Sequence, residues 1–350
     1  MKAVSFFSSA GISELFLSQL GIDIVCANEI KIDRANLYQD CYKKTKMIQG
    51  NILSNKIFKA LVSYSQEKCD LLIASPPCQG MSMAGKSRNP KEMLQDERNY
   101  LIYRVIDFIN EIKPHFALIE NVPLLTKLQL PYKNKILSII DIMHNTIGDR
   151  YNIEMDVLDC ADFRIPQHRL RTIIRIYKKG NYWHLPSRNE EKLTVHDTIS
   201  HLPSIEAGET SSIKWHYARR HSKNHILWMK NTPTGMSAFQ NEIYFPRKSN
   251  GDKINGYDTT YRRMEWHKPA PTITTRNDAI SSQRNVHPGT KLNDGTYSDA
   301  RALTPLELML LSTIPESWNI PYTTNELLIR RCIGECVPPN LTKVLLSELL

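Results

Sequence analysis

Cysteine is scarce in this chain, and long apolar runs are absent from it. The seven cysteines (Cys26, Cys41, Cys69, Cys78, Cys160, Cys332 and Cys336) are odd in number and scattered, with no Cys-x-x-Cys pair. That excludes a disulfide framework. Cys332 and Cys336 stand four apart without the second pair a zinc site needs, so no metal is expected. A reducing cytoplasm is the expected home. No stretch approaches the roughly 18 unbroken apolar residues of a membrane span. Residues 1–17 imitate a signal peptide, but Glu14 interrupts the apolar region and no small-x-small cleavage site follows, so they read as folded chain. Internal repeats and low-complexity tracts are also missing.

What is present is globular. Apolar residues make up 41% of the 350 and charged residues 23%, which excludes a disordered or collagen-like chain. The length allows one large domain or two ordinary ones. The 45 Lys+Arg against 36 Asp+Glu give a net charge of +9, which favours a polyanionic partner. Twelve Lys/Arg and four Asp/Glu fall within residues 214–276, so +8 of the charge sits in one piece. Aromatics are interleaved there, among them Trp215, Tyr217, Trp228, Phe239, Tyr257 and Trp266.

Residues 2–7, 23–27, 71–74, 116–119 and 172–177 read as strands, and residues 12–20 and 99–112 as helices between them. Strands alternating with helices predict an α/β chain with a doubly wound sheet. Ligands bind such sheets beyond the carboxyl ends of the strands. From 186 the texture turns polar, basic and loop-rich, with turn signals at Pro203, Gly208, Pro233 and Gly235. Helical character returns near 304, where Thr304 before Glu307 predicts a capping box, and residues 341–350 read as a closing helix. Residues 1–185 plus 300–350 are therefore expected to form one domain, and 186–299 a smaller, loop-rich second one.

Three local features carry chemistry. In Ser75-Pro76-Pro77-Cys78-Gln79-Gly80 two prolines stop a strand and leave Cys78 at the sheet's ligand edge. A thiol there is a candidate nucleophile, although a buried cysteine in a proline turn would read the same. Glu120-Asn121-Val122 puts a carboxylate directly after an apolar strand, as a general acid or as an ordinary turn residue. Gln167-His168-Arg169-Leu170-Arg171 points two arginines to one face of an extended segment.

Taken in order with Ser5-Phe6-Phe7-Ser8-Ser9-Ala10-Gly11, Asn28-Glu29, Arg301-Ala302-Leu303-Thr304-Pro305-Leu306-Glu307 and Gly334-Glu335-Cys336-Val337-Pro338-Pro339, these segments resemble the cytosine-C5 DNA methyltransferase family across nearly the whole chain. The resemblance implies a Rossmann-like S-adenosyl-L-methionine-dependent domain that acts on a cytosine flipped out of double-stranded DNA. By the family pattern Cys78 attacks C6, Glu120 hydrogen-bonds N3, Arg171 reaches O2, and Arg169 supports the nucleophile and a nearby phosphate. Cofactor contacts fall to Phe7, Ser8, Ser9, Ala10 and Gly11, to Glu29 on the ribose, to Asn51 and Ile52 at the adenine, and to Pro77, Leu101 and Val337. The 186–299 domain takes the place of the target-recognition domain. Its DNA contacts are expected from Lys214, Arg219, Arg220, Arg262, Arg263, Thr274 and Arg276, joined by Gln79, and residues 272–276 alternate like a strand. A compact single-enzyme chain further implies a monomeric modification enzyme, with any cognate restriction endonuclease acting separately.

This chain departs from the family pattern at three points. The first turn carries Ser8, Ser9 and Ala10 in place of a glycine-rich run, Asn51 replaces a more usual Asp, and Glu335 replaces a common Asn.

Overall fold

The computed structural model describes residues 1–77, 96–321 and 323–350. Cys78 and Gln79 lie outside the described residues. The chain forms two compact units: Met1–Asp159 with Leu170–Ser187 and Leu341–Leu350, and Cys160–Arg169 with Arg188–Asn340.

The first unit is built on a seven-stranded sheet. In chain order its strands are β1 (Lys2–Phe6), β2 (Asp23–Glu29), β3 (Lys46–Gln49), β4 (Leu71–Ala74), β5 (Phe116–Asn121), β8 (Tyr151–Asp159) and β9 (Leu170–Lys178), while β6 (Gln129–Tyr132) and β7 (Lys135–Ser138) form a separate hairpin. The spatial order is β3-β2-β1-β4-β5-β9-β8. The first five strands are parallel, and β9 runs antiparallel to both β5 and β8. Strand order reverses between β1 and β4, which makes their carboxyl ends the switch point of the doubly wound sheet.

The sequence accounts for these elements. β4 is four buried apolar residues, as a central parallel strand covered on both faces must be. Helix α1 (Ile32–Cys41) follows β2, and α2 (Asn55–Ser65) follows β3. Helix α3 (Leu101–Ile112) buries Leu101, Ile102, Val105, Ile106, Phe108 and Ile109 at helical spacing, and a short 3₁₀ turn over Glu97–Tyr100, capped by the Asp96 side chain, leads into it. Helix α4 (Ile139–Ile147) starts on the hydroxyl of Ser138. The predicted helix over 12–20 is instead two 3₁₀ turns, Ile12–Glu14 and Leu17–Leu20. Gly11 and Gly21 both adopt left-handed backbone at the two ends, and Phe16 (φ −106°, ψ 2°) leaves the helical region between the two turns.

The second unit holds helices α5 (Val195–Ile199), α6 (Lys223–Lys230), α7 (Pro305–Leu311) and α8 (Glu326–Glu335) among turns and isolated bridges; α9 (Pro339–Ser347) closes the chain. Residues 272–276 are not a strand. They run alongside residues 166–169, joined by a parallel bridge between Gln167 and Ala270. The division of the chain also differs from the expected one, because residues 300–340 belong to the second unit. Arg301 makes a bidentate pair with Glu307 at 2.8 and 2.9 Å and bonds Asp299 at 2.9 Å, all buried. Arg330 of α8 donates to the carbonyls of Leu303 and Asn277. Thr304 and Glu307 form the predicted capping box at the start of α7.

Candidate active site

The switch point sets two sequence features side by side. β1 ends at Phe6 and β4 at Ala74, and the two pair in register there. Beyond β1 the chain turns sharply: Phe7 and Ser9 take left-handed φ values of 57° and 48°, and Gly11 takes 73°. Ser8 N–H donates to the Asn28 carbonyl at 3.0 Å, and Gly11 N–H to that of Ser8 at 2.8 Å. Beyond β4 come Ser75, the buried Pro76 and the half-buried Pro77.

Glu29 ends β2 next door. It accepts the Ser9 N–H on one carboxylate oxygen and the Lys31 N–H on the other, each at 2.9 Å. A carboxylate has about four acceptor positions, so lone pairs remain for two hydroxyl groups. Asn28 ties the neighbouring strand end by donating to the Ile48 and Gly50 carbonyls at 2.7 and 3.1 Å. Asn51 is exposed, and its side-chain oxygen accepts the Leu53 N–H at 3.0 Å while keeping a second lone pair. Ile52 and Leu101 are buried in the same core as Phe6. The fold thus brings together Phe7, Ser8, Ser9, Ala10, Gly11, Glu29, Asn51, Ile52, Pro77 and Leu101 within the first unit. Val337 is buried in the second unit.

At the end of β5, Glu120 meets Arg171 of β9, with Nε 2.5 Å from Oε1 and both side chains nearly covered. The antiparallel register makes this pairing: Glu120 stands opposite Ile173 and Asn121 opposite Thr172. Asn121 donates to the Pro76 carbonyl at 2.9 Å, and Thr172 Oγ1 to the Val122 carbonyl at 3.1 Å. The Glu120-Asn121-Val122 segment is therefore bonded to the proline turn that leads into Cys78.

The two arginines of the Gln167–Arg171 motif do different work. Arg171 belongs to the first unit and faces Glu120, whereas Arg169 is buried in the second and donates to the carbonyls of Ile273 and Gly334 at 2.9 and 3.2 Å. Gln167 Oε1 accepts the Ile273 N–H, and the Thr272 hydroxyl donates to the His168 carbonyl. The motif serves here as the seat of residues 270–274. Gly334 completes that seat, since a Cβ there would lie 2.2 Å from the Thr274 carbonyl oxygen.

The basic residues of the second unit divide by burial. Lys214, Arg220 and Arg276 are exposed, while Arg219, Arg262 and Thr274 are half-buried. Arg219 lies 3.6 Å from Glu326. Arg263 is 1% exposed and donates to the carbonyls of Met229 and His287 at 2.9 and 2.8 Å. Its guanidinium is a structural crosslink. Burial brings its pKa down to about 10. The interleaved aromatics divide too: Trp215, Trp228 and Phe239 are buried, Tyr217 and Trp266 are half-buried, and Tyr257 is open to solvent.

Sequence reasoning missed several residues. Ile30 is exposed immediately after Glu29 at the β2 end, and its apolar type alone gives no sign of that exposure. In sequence Glu14 only interrupts an apolar stretch, yet it is fully buried under the β1 turn. Among the described residues no cluster of His, Cys, Asp and Glu could hold a metal, and no helix is long and apolar enough to cross a membrane.

The whole chain, residues 1–350, matches the family described as C-5 cytosine-specific DNA methylase. It belongs to that family of DNA-methylating enzymes. It is 53% identical to Type II methyltransferase M1.HgaI of Avibacterium volantium over 353 residues, covering 99% of each chain. With Type II methyltransferase M1.HphI of Haemophilus parahaemolyticus it shares 26% identity over 348 residues, covering 99% of this chain and 86% of that one. Its fold is similar to that of a prophage-encoded DNA modification methyltransferase of E. coli, with TM-score 0.71 at 20% identity over 100% and 98% of the two chains. It is also similar to the Entamoeba histolytica methyltransferase EhMeth, with TM-score 0.65 at 16% identity over 100% and 97%.

Proposed function

We propose that this enzyme transfers a methyl group from S-adenosyl-L-methionine to C5 of a cytosine flipped out of a specific double-stranded DNA sequence. It does so as the modification enzyme of a Type II restriction–modification system, in the cytoplasm and as a monomer. The observation that carries the reading is the covered Glu120–Arg171 pair, bonded through Asn121 to the proline turn two residues before Cys78.

C5 of cytosine is a weak nucleophile until something adds at C6. Cys78 is assigned from sequence as that nucleophile: its thiolate forms a bond to C6, and the displaced electron pair spreads over C5 and N3. Glu120 hydrogen-bonds N3, and Arg171 meets the charge that develops at O2. When bound, S-adenosyl-L-methionine supplies the electrophilic methyl group that C5 accepts. Loss of the C5 proton to a base then expels the Cys78 thiolate and restores the ring. The first-unit residues fit the cofactor, with spare lone pairs on Glu29 for ribose hydroxyls, an exposed Asn51 amide and an apolar Ile30 beside them. Exposed Lys214, Arg220 and Arg276 engage phosphates, which hold DNA without reading its sequence.

The test is bisulfite mapping of duplex DNA from a host expressing the chain, with purified tRNA as a parallel substrate. Methylation at one cytosine of a recurring DNA motif is expected. Transfer confined to tRNA would overturn the reading.

A further inference from the structure

Beneath the β1 turn lies a polar cluster that the reaction does not use. The Glu14 carboxylate is fully buried. Ser5 of β1 donates to Oε1, and Tyr38 of α1 donates to Oε2 at 2.5 Å. Tyr38 stacks on Tyr42 with ring centroids 4.6 Å apart, and the Tyr42 hydroxyl donates to the Gly11 carbonyl at 2.5 Å. Glu14 N–H donates to the same carbonyl at 3.1 Å. Gly11 presses its bare face on the pair: a Cβ there would lie 2.3 Å from Tyr42 and 2.9 Å from Tyr38, at a φ of 73°.

This arrangement answers a question the sequence poses. Residues 7–11 contain one glycine, yet Phe7 and Ser9 both hold left-handed backbone, which side chains disfavour. Such conformations persist only where the surroundings over-determine them. Glu29 fixes the Ser9 N–H from outside the turn. From beneath, Tyr42 and the Glu14 backbone fix Gly11, while the Glu14 side chain fixes Tyr38, on which Tyr42 stacks.

We propose that Glu14 is a positioning residue for the cofactor: with Ser5, Tyr38 and Tyr42 it forms a buried clamp that holds residues 7–11 in the shape the cofactor binds, replacing the conformational freedom of missing glycines. The proposal rests on the cofactor reading above.

The cluster also titrates. Burial pushes the Glu14 carboxyl up to about 7, against the lowering effect of the Ser5 and Tyr38 hydrogen bonds. The ionisable groups that face it are Tyr38 and Tyr42, both with pKa values raised, chiefly by burial, with Glu14 itself adding to the rise. Ionised, Glu14 accepts both hydroxyls; a proton on one oxygen removes one of those acceptor sites. Burial disfavours the charged form by more than that acceptor gains, so the clamp is tightest below about pH 7 and loosens as pH rises.

Calorimetric titration with S-adenosyl-L-methionine alone, without DNA, tests this across pH 6 to 8.5. Tyr42→Phe keeps the ring stack and loses one hydroxyl, and is expected to weaken binding about tenfold. Glu14→Gln, a stand-in for the neutral carboxyl, is expected to abolish the pH dependence that the parent protein shows, and Glu14→Ala to weaken binding further than Tyr42→Phe. Unchanged affinity in Tyr42→Phe, or a parent affinity flat across this range, would overturn the clamp, as would losses that merely follow the folded fraction measured by circular dichroism. A parent protein that binds no cofactor at any pH would overturn the cofactor reading itself, and the silent parent tells the two failures apart.

Discussion

The two compact units handle buried polarity in opposite ways. In the first, an apolar layer encloses the sheet, from Val4 and Phe6 through Leu72 to Ile119 and Ile174, and buried charge is confined to Glu14, Glu29, Arg171 and Arg175 among the described residues. In the second, the apolar cluster around Trp228, Met229, Ile280 and Val286 is small, and fully buried Arg263, Arg301 and Arg330 bond carbonyls and carboxylates in its interior. The contrast teaches that positive charge means different things in the two places. Arg171 in the first unit pairs with Glu120 at a strand end, whereas Arg263 in the second bonds backbone carbonyls as scaffold.

Removing a buried charge from the second unit is the severest way to break this contrast. Arg301→Met leaves Glu307 and Asp299 buried without their partner and is expected to cost about 3–5 kcal/mol in urea unfolding. A loss under 1 kcal/mol would mean that the hub does not hold that unit together.

The units should also respond to pH with opposite signs. Glu14, raised from 4.5 to about 7 in the folded protein, binds more protons folded than unfolded between those values. Its contribution is full below 4.5 and is lost as pH rises through 7, about 3 kcal/mol in all. In the second unit burial would raise the Glu307 carboxyl, but Arg301 holds it well below the carboxylate range. Burial likewise brings His221 down to about 4. Both contributions are lost as pH falls: His221's between about 6.5 and 4, and Glu307's below about 4.5. Hydrogen exchange read by mass spectrometry, corrected for the intrinsic pH dependence of exchange, should show residues 5–14 less protected at pH 8 and residues 299–307 less protected at pH 5. Parallel behaviour of the two segments would remove the distinction.

The smallest effects separate scaffold from surface within one basic region. Arg263→Ala is expected to lower stability by about 2 kcal/mol by orphaning buried carbonyls. Arg220→Ala should stay within about 0.5 kcal/mol in stability but weaken DNA binding a few-fold and reduce the salt dependence by about one ion. Filter binding at several salt concentrations, beside thermal unfolding, checks both.

This division explains what could be read in advance. Parallel strands announce themselves as apolar runs, and their ends announce the ligand edge, so Glu29, the proline turn and Glu120 were legible as a constellation. β8 was not, because its half-buried face carries Asn152, Glu154 and Asp156 among the apolar residues. Counting charge located the basic region but could not separate Arg220 from Arg263. Neighbours in sequence do not reveal that Met229 and His287 would supply carbonyls to one guanidinium. Nor could spacing tell that Arg169 and Arg171, two residues apart, part company into different units.

The most direct test of the account is covalent capture of the enzyme on duplex DNA carrying 5-fluorocytosine at the methylated position. With S-adenosyl-L-methionine present, C5 takes the methyl group but fluorine cannot depart as a proton does, so the bond from sulfur to C6 should persist on a denaturing gel. The account predicts such a species for the parent protein, none for Cys78→Ser, and at least a hundredfold slower formation for Glu120→Gln. The same cross-linked species from Cys78→Ser would contradict it.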